Sequence, residues 1–340
     1  MTDGTLDEAL IRLRDTGPER HGWLSNHAPM AVEVLVRRGH ADEVHRWIDD
    51  YRDLLEEAPR GIEPIAPEQW RDPLGDPIRT GDWIEFFALR LREAPWREVL
   101  AEWWPRLLPG IAAGATHGVI RVGHAVHALL QEETAPRVAE LGQGLAYWAA
   151  RWQPMAPAGA GPYSAADPRA ALDAVPRVPD QRFGIRARLA QLADLRDWPA
   201  AAAAVPGQGS VEERLAAIIA EAVRGHGTHG YAAPIMLVHA ATAPTAVLRA
   251  LPALPSALAL PSLHAAWAAT AAITSAYAPK VGRPFGGASD DPDAVLDRAA
   301  ELGDAHAIKF ADAALDAWRS DGDPALLAAA DNATILISDD

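Results

Sequence analysis

Apolar residues recur along this chain at spacings of three and four, almost never in strict alternation, and that restricts it to helices packed on helices. Leu6, Leu10, Ile11 and Leu13 form one short stripe. Met30, Val34 and Leu35 form a second, followed by Val44, Trp47, Ile48 and Tyr51. The same spacing predicts helices over 83–91, 96–111 (interrupted by Pro105 and Pro109), 116–130 and 138–152. Ser25 or Asn26 is placed to cap the helix that opens at Pro29, and Gly39 and Gly303 sit at expected helix ends. Residues 153–180 are rich in Pro, Gly and Ala and read as a long loop or linker, with weaker breaks at 199–210 and 278–291. No fixed repeat period occurs, so a solenoid is not expected. The reading is an all-α protein, one large helical domain over 1–340 with a long mid-chain loop. A split near residue 160 is the alternative.

Composition narrows the function classes. The 340 residues are 49% hydrophobic, enough for a large core. Stretches 231–250 and 257–278 are the most apolar, but His, Thr, Ser or Pro interrupt them, and they read as buried helices. The first residues are charged and amphipathic, unlike a signal peptide, so a cytoplasmic, membrane-free protein is expected. A net charge of -15 without a basic stripe argues against nucleic acid as a partner. The absence of cysteine excludes disulfides, thiolate metal ligands and Cys nucleophiles. Twelve tryptophans imply an aromatic-rich core or pocket.

Among the motifs, Gly225-His226-Gly227-Thr228-His229-Gly230 matches G-x-G-x-x-G. That motif cradles a pyrophosphate only between a strand and a helix N-terminus. Here a helical segment precedes it, so it reads as a flexible inter-helix loop and not a nicotinamide site. His40 and His45 lie among charges and read as surface groups, and His264 reads as a core histidine. His27, His117, His239 and His306 are different, because each is set among small or apolar neighbours. Any one alone is best read as a hydrogen-bonded core group. Four in a cysteine-free chain point to a shared metal, since imidazole is the commonest metal-binding side chain. Lys309, one of two lysines, lies inside the apolar stretch HAIKFADAAL. The plain reading pairs it with Asp312. The sharper one notes that His306, at i-3, shares its helix face. Burial disfavours the ammonium, and the neutral amine can ligate or take up carbon dioxide as a carbamate. His117 and His124 are seven apart and share a stripe; His117 is read as the ligand and His124 as the candidate catalytic or pocket-lining group, and the opposite assignment stays open.

These segments together resemble the questin oxidase-like family. The marks run in order from about residue 20 to 320: SNHAPMAVEVL, GDWIEFF, THGVIRVGHA, LVHAAT and GDAHAIKFADAAL. The resemblance implies a non-haem Fe(II) site with His27, His117, His239 and His306 as nitrogen ligands and carboxylated Lys309 as the fifth; another divalent metal can replace iron on overexpression. It also implies an oxygenase that uses dioxygen on a small aromatic polyketide, an anthraquinone or hydroquinone, with oxidative ring opening by carbon–carbon cleavage. Five protein ligands leave one octahedral position open, so substrate is expected beside the metal; Trp83, Trp103, Trp104 and Trp267 are candidate walls, but each reads first as a core residue. Two other readings stay open: an NADPH-dependent Baeyer–Villiger-type monooxygenase, with the reductant supplied externally, and a non-catalytic helical protein whose histidines are structural. His124 departs from the family pattern, which favours an aromatic there, and the chain is short for the family; both bear on substrate more than on metal.

Overall fold

The computed structural model describes residues 4–159, 167–285 and 291–339. Helix, 3-10 turns included, accounts for 69% of the described residues. Among the described residues, regular strand is limited to the antiparallel pair Glu19–Arg20 and Leu24–Ser25. The protein is therefore all-α, as the spacing of its apolar residues requires. Its contacts divide it into two compact units, Met1–Pro154 with Arg249–Ser256, and Met155–Leu248 with Ala257–Asp340.

The first unit holds α1 (Thr5–Leu13), α2 (Ala28–Arg37), α3 (Val44–Arg52), α4 (Thr80–Glu93), α5 (Trp96–Leu107), α6 (His117–Gln131) and α7 (Ala135–Arg151). Helix α7 packs along both α4 and α6, and α2 packs on α1 and α6. Two glycines permit the close approach of α6 and α7. A Cβ on Gly118 would lie 2.6 Å from Trp148 Cγ, and one on Gly144 would lie 3.2 Å from Val122 Cγ2. The core is aromatic: Trp83, Phe86, Phe87 and Trp103 meet at ring-centroid distances of 4.9 to 5.8 Å, with Trp70 at the edge of Trp103. Edge-to-face packing of this kind adds to what burial alone contributes. Pro105 does not end α5, which runs on to Leu107 before a 3-10 turn at Leu108–Gly110. Asn26, not Ser25, supports the start of α2, its Oδ1 accepting from Ala28 N at 3.0 Å; the Ser25 hydroxyl is engaged by Tyr147 at 2.5 Å.

The second unit holds α8 (Pro168–Asp173), α9 (Ile185–Ala190), α10 (Trp198–Ala203), α11 (Val211–His229), α12 (Pro234–Leu237), α13 (His239–Ala250), α14 (Ala259–Tyr277), α15 (Pro292–Leu302), α16 (Ala305–Asp321) and α17 (Pro324–Ser338). Their ends follow from local chemistry. Ser210 and Glu213 form a capping box on α11, and Asp291, Asp304 and Asp323 accept from the first amides of α15, α16 and α17. Gly303 and Gly322, both left-handed, end α15 and α16. Helix α11 packs against α14, α16 and α17. The expected loop over 153–180 includes the helix α8, whose start is capped by Asp167; residues 160–166 of that stretch lie outside the described residues.

Two helical stretches, Pro234–Ala253 and Ser256–Tyr277, are long and apolar enough to cross a bilayer by composition, but 78% and 61% of them is buried inside the protein, as in core helices.

Candidate metal centre

His27 is the residue just before α2, and His117 is the first residue of α6. Both are buried, 5% and 7% exposed, and both stand at helix N-termini. Their rings stack with centroids 4.6 Å apart and planes 12° from parallel. Their Nε2 atoms lie 2.8 Å apart. His117 Nδ1 lies 2.6 Å from Gly114 O, and a carbonyl can only accept, so Nδ1 carries the proton and Nε2 keeps its lone pair. An imidazole whose other nitrogen donates to a backbone carbonyl is oriented as metal-binding histidines are. An ion with bonds of about 2.1 Å holds two donors about 3 Å apart at right angles, close to the observed separation.

The backbone before His117 is unusual. Gly114, Ala115 and Thr116 have φ of 56°, 55° and 65°. For Ala115 and Thr116 this left-handed conformation costs on the order of 1 kcal/mol each. It forms the turn from which the Gly114 carbonyl meets the imidazole, and Gly118 then seats the helix on Trp148.

Nearly two turns further along α6, at His124 and His127, is a group that the sequence reading missed. Glu33, on α2 and 4% exposed, lies with Oε2 2.7 Å from His124 Nδ1 and Oε1 2.9 Å from His127 Nδ1, and it accepts from Arg37 Nε at 2.9 Å. Burial pushes this carboxyl up, but the bonds from His124 and His127 and the Arg37 charge outweigh it and hold it well below the usual range. The carboxylate thus fixes the proton of His124 on Nδ1 and leaves Nε2 as the basic nitrogen. The signal was a lone acid inside the apolar run MAVEVL, which reads equally as a charge facing water.

In the second unit His239 opens α13 and His306 is the second residue of α16. They are 0% and 8% exposed, with rings edge-to-face at 5.6 Å. The Asp304 carboxylate accepts from the backbone amides of His306 and Ala307 at 2.7 and 3.3 Å and lies 3.3 Å from His306 Nδ1. Burial pushes Asp304 up, yet the His306 bonds prevail and hold it at about 2. A carboxylate on Nδ1 leaves Nε2 of His306 as the donor nitrogen. All four singled-out histidines therefore stand at helix starts.

Lys309 is one turn along α16 from His306 and is 1% exposed. Its Nζ has no hydrogen-bond partner among the described residues, so the expected pairing with Asp312, which is itself fully buried, is not formed. Burial pulls the ammonium down to about 7, against the charge of Asp304. An orphaned, fully buried amine of that kind fits a role that consumes its lone pair.

Two other readings of the sequence are corrected, and the core role read for four tryptophans holds. The GHGTHG segment is not a loop, because α11 continues through it to His229. Its Gly227 is required by the ring of Phe285, which would lie 2.6 Å from a Cβ, and Thr228 Oγ1 bonds back to Gly225 O at 3.1 Å. His264 is exposed on α14 instead of lying in the core. Trp83, Trp103, Trp104 and Trp267 are all 0% exposed and pack in the cores of their units, Trp83 and Trp267 donating to the Pro73 and Ala201 carbonyls.

Comparison with known sequences adds one finding. The pattern of the family described as questin oxidase-like matches residues 24–314. No individual curated protein matches the chain. The match takes in His27, His117, Glu33, His239, His306 and Lys309, and its extent leaves the conclusion plain: this chain is a member of the questin oxidase-like family.

Proposed function

We propose that this protein is a non-haem iron oxygenase that uses dioxygen to open the ring of a hydroxylated aromatic polyketide, with His27, His117, His239, His306 and carboxylated Lys309 as ligands. Family membership supports an oxidase acting on aromatic polyketides. The observation that carries the metal reading is Lys309, a buried amine without a partner, one turn from a histidine whose Nδ1 is met by a carboxylate. When bound, the iron would supply the redox chemistry that lets triplet oxygen react with a closed-shell aromatic.

The chain's own residues do the rest. With its acidity near neutral, Lys309 exists in part as the free amine at pH 7. The amine adds to carbon dioxide, forming an N–C bond and releasing one proton, and gives a carbamate with an anionic oxygen donor. That replaces a cation by an anion beside neutral imidazoles, which favours a divalent cation there. Gly114 O and Asp304 fix the protons of His117 and His306 on Nδ1, leaving each Nε2 to bind. Glu33 does the same for His124, which can then take a proton from a substrate phenol at Nε2. The test is metal analysis of protein purified without chelator, together with oxygen uptake on hydroxylated anthraquinones. A metal-free protein that is fully active would overturn the proposal. Oxygen uptake that requires NADPH in equal amount would favour the Baeyer–Villiger reading.

A further inference from the structure

Two residues of α7 hold both of the segments that deliver the paired histidines of the first unit. Tyr147 and Arg151 are four apart and share a face of that helix. On one side they grip the antiparallel hairpin formed by Glu19–Arg20 and Leu24–Ser25, which runs into His27. The Tyr147 hydroxyl lies 2.5 Å from Ser25 Oγ, and the Arg151 guanidinium donates to the Glu19 carboxylate, with Nη2 2.7 Å from Oε2. On the other side they lie against the left-handed turn that runs into His117. A Cβ on Gly114 would stand 3.2 Å from the Tyr147 hydroxyl oxygen and 3.7 Å from Arg151 Cβ. The carbonyl of that same Gly114 accepts from His117 Nδ1 at 2.6 Å, so a displacement of this glycine carries the imidazole with it.

The Tyr147 hydroxyl is where the two segments meet. Ser25 is two residues from His27, and Gly114 is three from His117. Tyr147 is 2% exposed, so water does not compete for its bond to Ser25. Burial and the Glu19 charge push the phenol up to about 12, so it keeps its proton and the bond persists through the neutral range. The turn it supports is strained at Ala115 and Thr116, both at positive φ, and a strained turn persists only where its neighbours hold it.

We propose that Tyr147 is a positioning residue of the metal centre: its hydroxyl, bonded to Ser25 and packed against Gly114, sets the separation and alignment of the His27 and His117 imidazoles. Donor atoms must be held within about 0.5 Å of the productive geometry for tight binding. The two Nε2 atoms, 2.8 Å apart, are carried by main-chain segments that share this contact. The metal part of the inference rests on the reading of His27 and His117 as ligands; the tie between Tyr147 and the imidazole pair does not.

The test strips the full chain with chelator and titrates it with Co(II), whose visible absorption reports both affinity and ligand geometry. Tyr147→Phe keeps the ring and removes only the hydroxyl. Ser25→Ala removes the other half of the bond. Each should weaken Co(II) binding about tenfold and alter the cobalt spectrum. The double variant should lose no more than either single one, because the same bond is missing in all three. Val99→Ala, a buried truncation on α5, is the comparison: it should lower the urea midpoint and leave cobalt affinity alone. In the metal-free protein, the imidazole nitrogen NMR signals of His27 and His117 should shift in Tyr147→Phe and stay in place in Val99→Ala. A Tyr147→Phe protein with a lowered urea midpoint but unchanged cobalt affinity, spectrum and imidazole signals would overturn the inference, as would additive losses in the double variant. Wild-type protein that takes up no cobalt would refute the proposed function; the imidazole signals of the metal-free protein then decide the tie to Tyr147 by themselves, and it falls if they do not move.

Discussion

Two glycines on buried helices should respond to the same substitution with opposite sign. Gly118→Ala and Gly225→Ala each replace a helical glycine, a change worth about 1 kcal/mol in favour of the helix when nothing obstructs the methyl. At Gly225 a Cβ has no neighbour within 4 Å, so that gain should appear nearly whole. At Gly118 the Cβ would lie 2.6, 2.7 and 2.9 Å from Cγ, Cβ and Cα of Trp148. The last of these is backbone and the first two are the base of a fully packed indole, so relief requires α6 and α7 to separate by several tenths of an ångström. Overpacking of this kind costs about 1–3 kcal/mol, and more when the obstacle is main chain. After subtraction of the helical gain, Gly118→Ala should destabilise by up to about 2 kcal/mol, and the two variants should differ by about 1–3 kcal/mol. Urea unfolding of chelator-treated protein, with unchanged m values, measures this directly. Because Gly118 follows His117, the same shift should also weaken metal retention, whereas Gly225→Ala should leave it alone. Destabilisation of equal size at both sites would refute the packing argument.

The remaining predictions concern charge. His226 has its folded acidity depressed from 6.5 to about 4, so the unfolded chain binds the proton first as pH falls. Its contribution is fully present above pH 6.5 and is lost progressively down to about pH 4, amounting to about 3 kcal/mol. His226→Gln should remove that part of the acid sensitivity, and an unchanged difference in stability between pH 7 and pH 4 would contradict it. Glu33→Gln leaves Arg37, His124 and His127 without their carboxylate and should cost about 2–3 kcal/mol in chemical denaturation. The pH profile of kcat should shift with it if His124 acts as the base. Lys309→Met should stabilise the metal-free protein, because a desolvated amine without a partner is replaced by an apolar chain of similar length, and should abolish metal retention; a variant that keeps its metal would exclude Lys309 as a ligand.

The helices were legible because their apolar stripes are long and their caps local. Asp304, Ser210 with Glu213, and Gly303 act within four residues of the ends they define. The five proposed ligands could be singled out because a histidine or lysine among small apolar neighbours is conspicuous in a chain without cysteine. The turn that presents His117 was not legible. His117 follows three left-handed residues, two of them not glycine, and no spacing rule signals that turn. Glu33 was invisible for a different reason: its partners, His124 and His127, are about ninety residues away, and a single acid in an apolar helix looks like a solvated charge until the partner helix is seen. The GHGTHG segment misled because glycine argues for a loop locally. Here the glycines instead make room, Gly227 for the Phe285 ring and Gly225 for an open cavity.

The central claim is that Lys309 is carboxylated and helps to hold one iron. The direct measurement combines elemental analysis with carbon-13 NMR on protein purified without chelator and equilibrated with labelled bicarbonate. The account predicts about one equivalent of iron per chain, or of zinc after overexpression, and a carbamate resonance that is missing from the metal-free Lys309→Met protein. An active protein without metal, or one that holds its iron with Lys309 unlabelled, would contradict it.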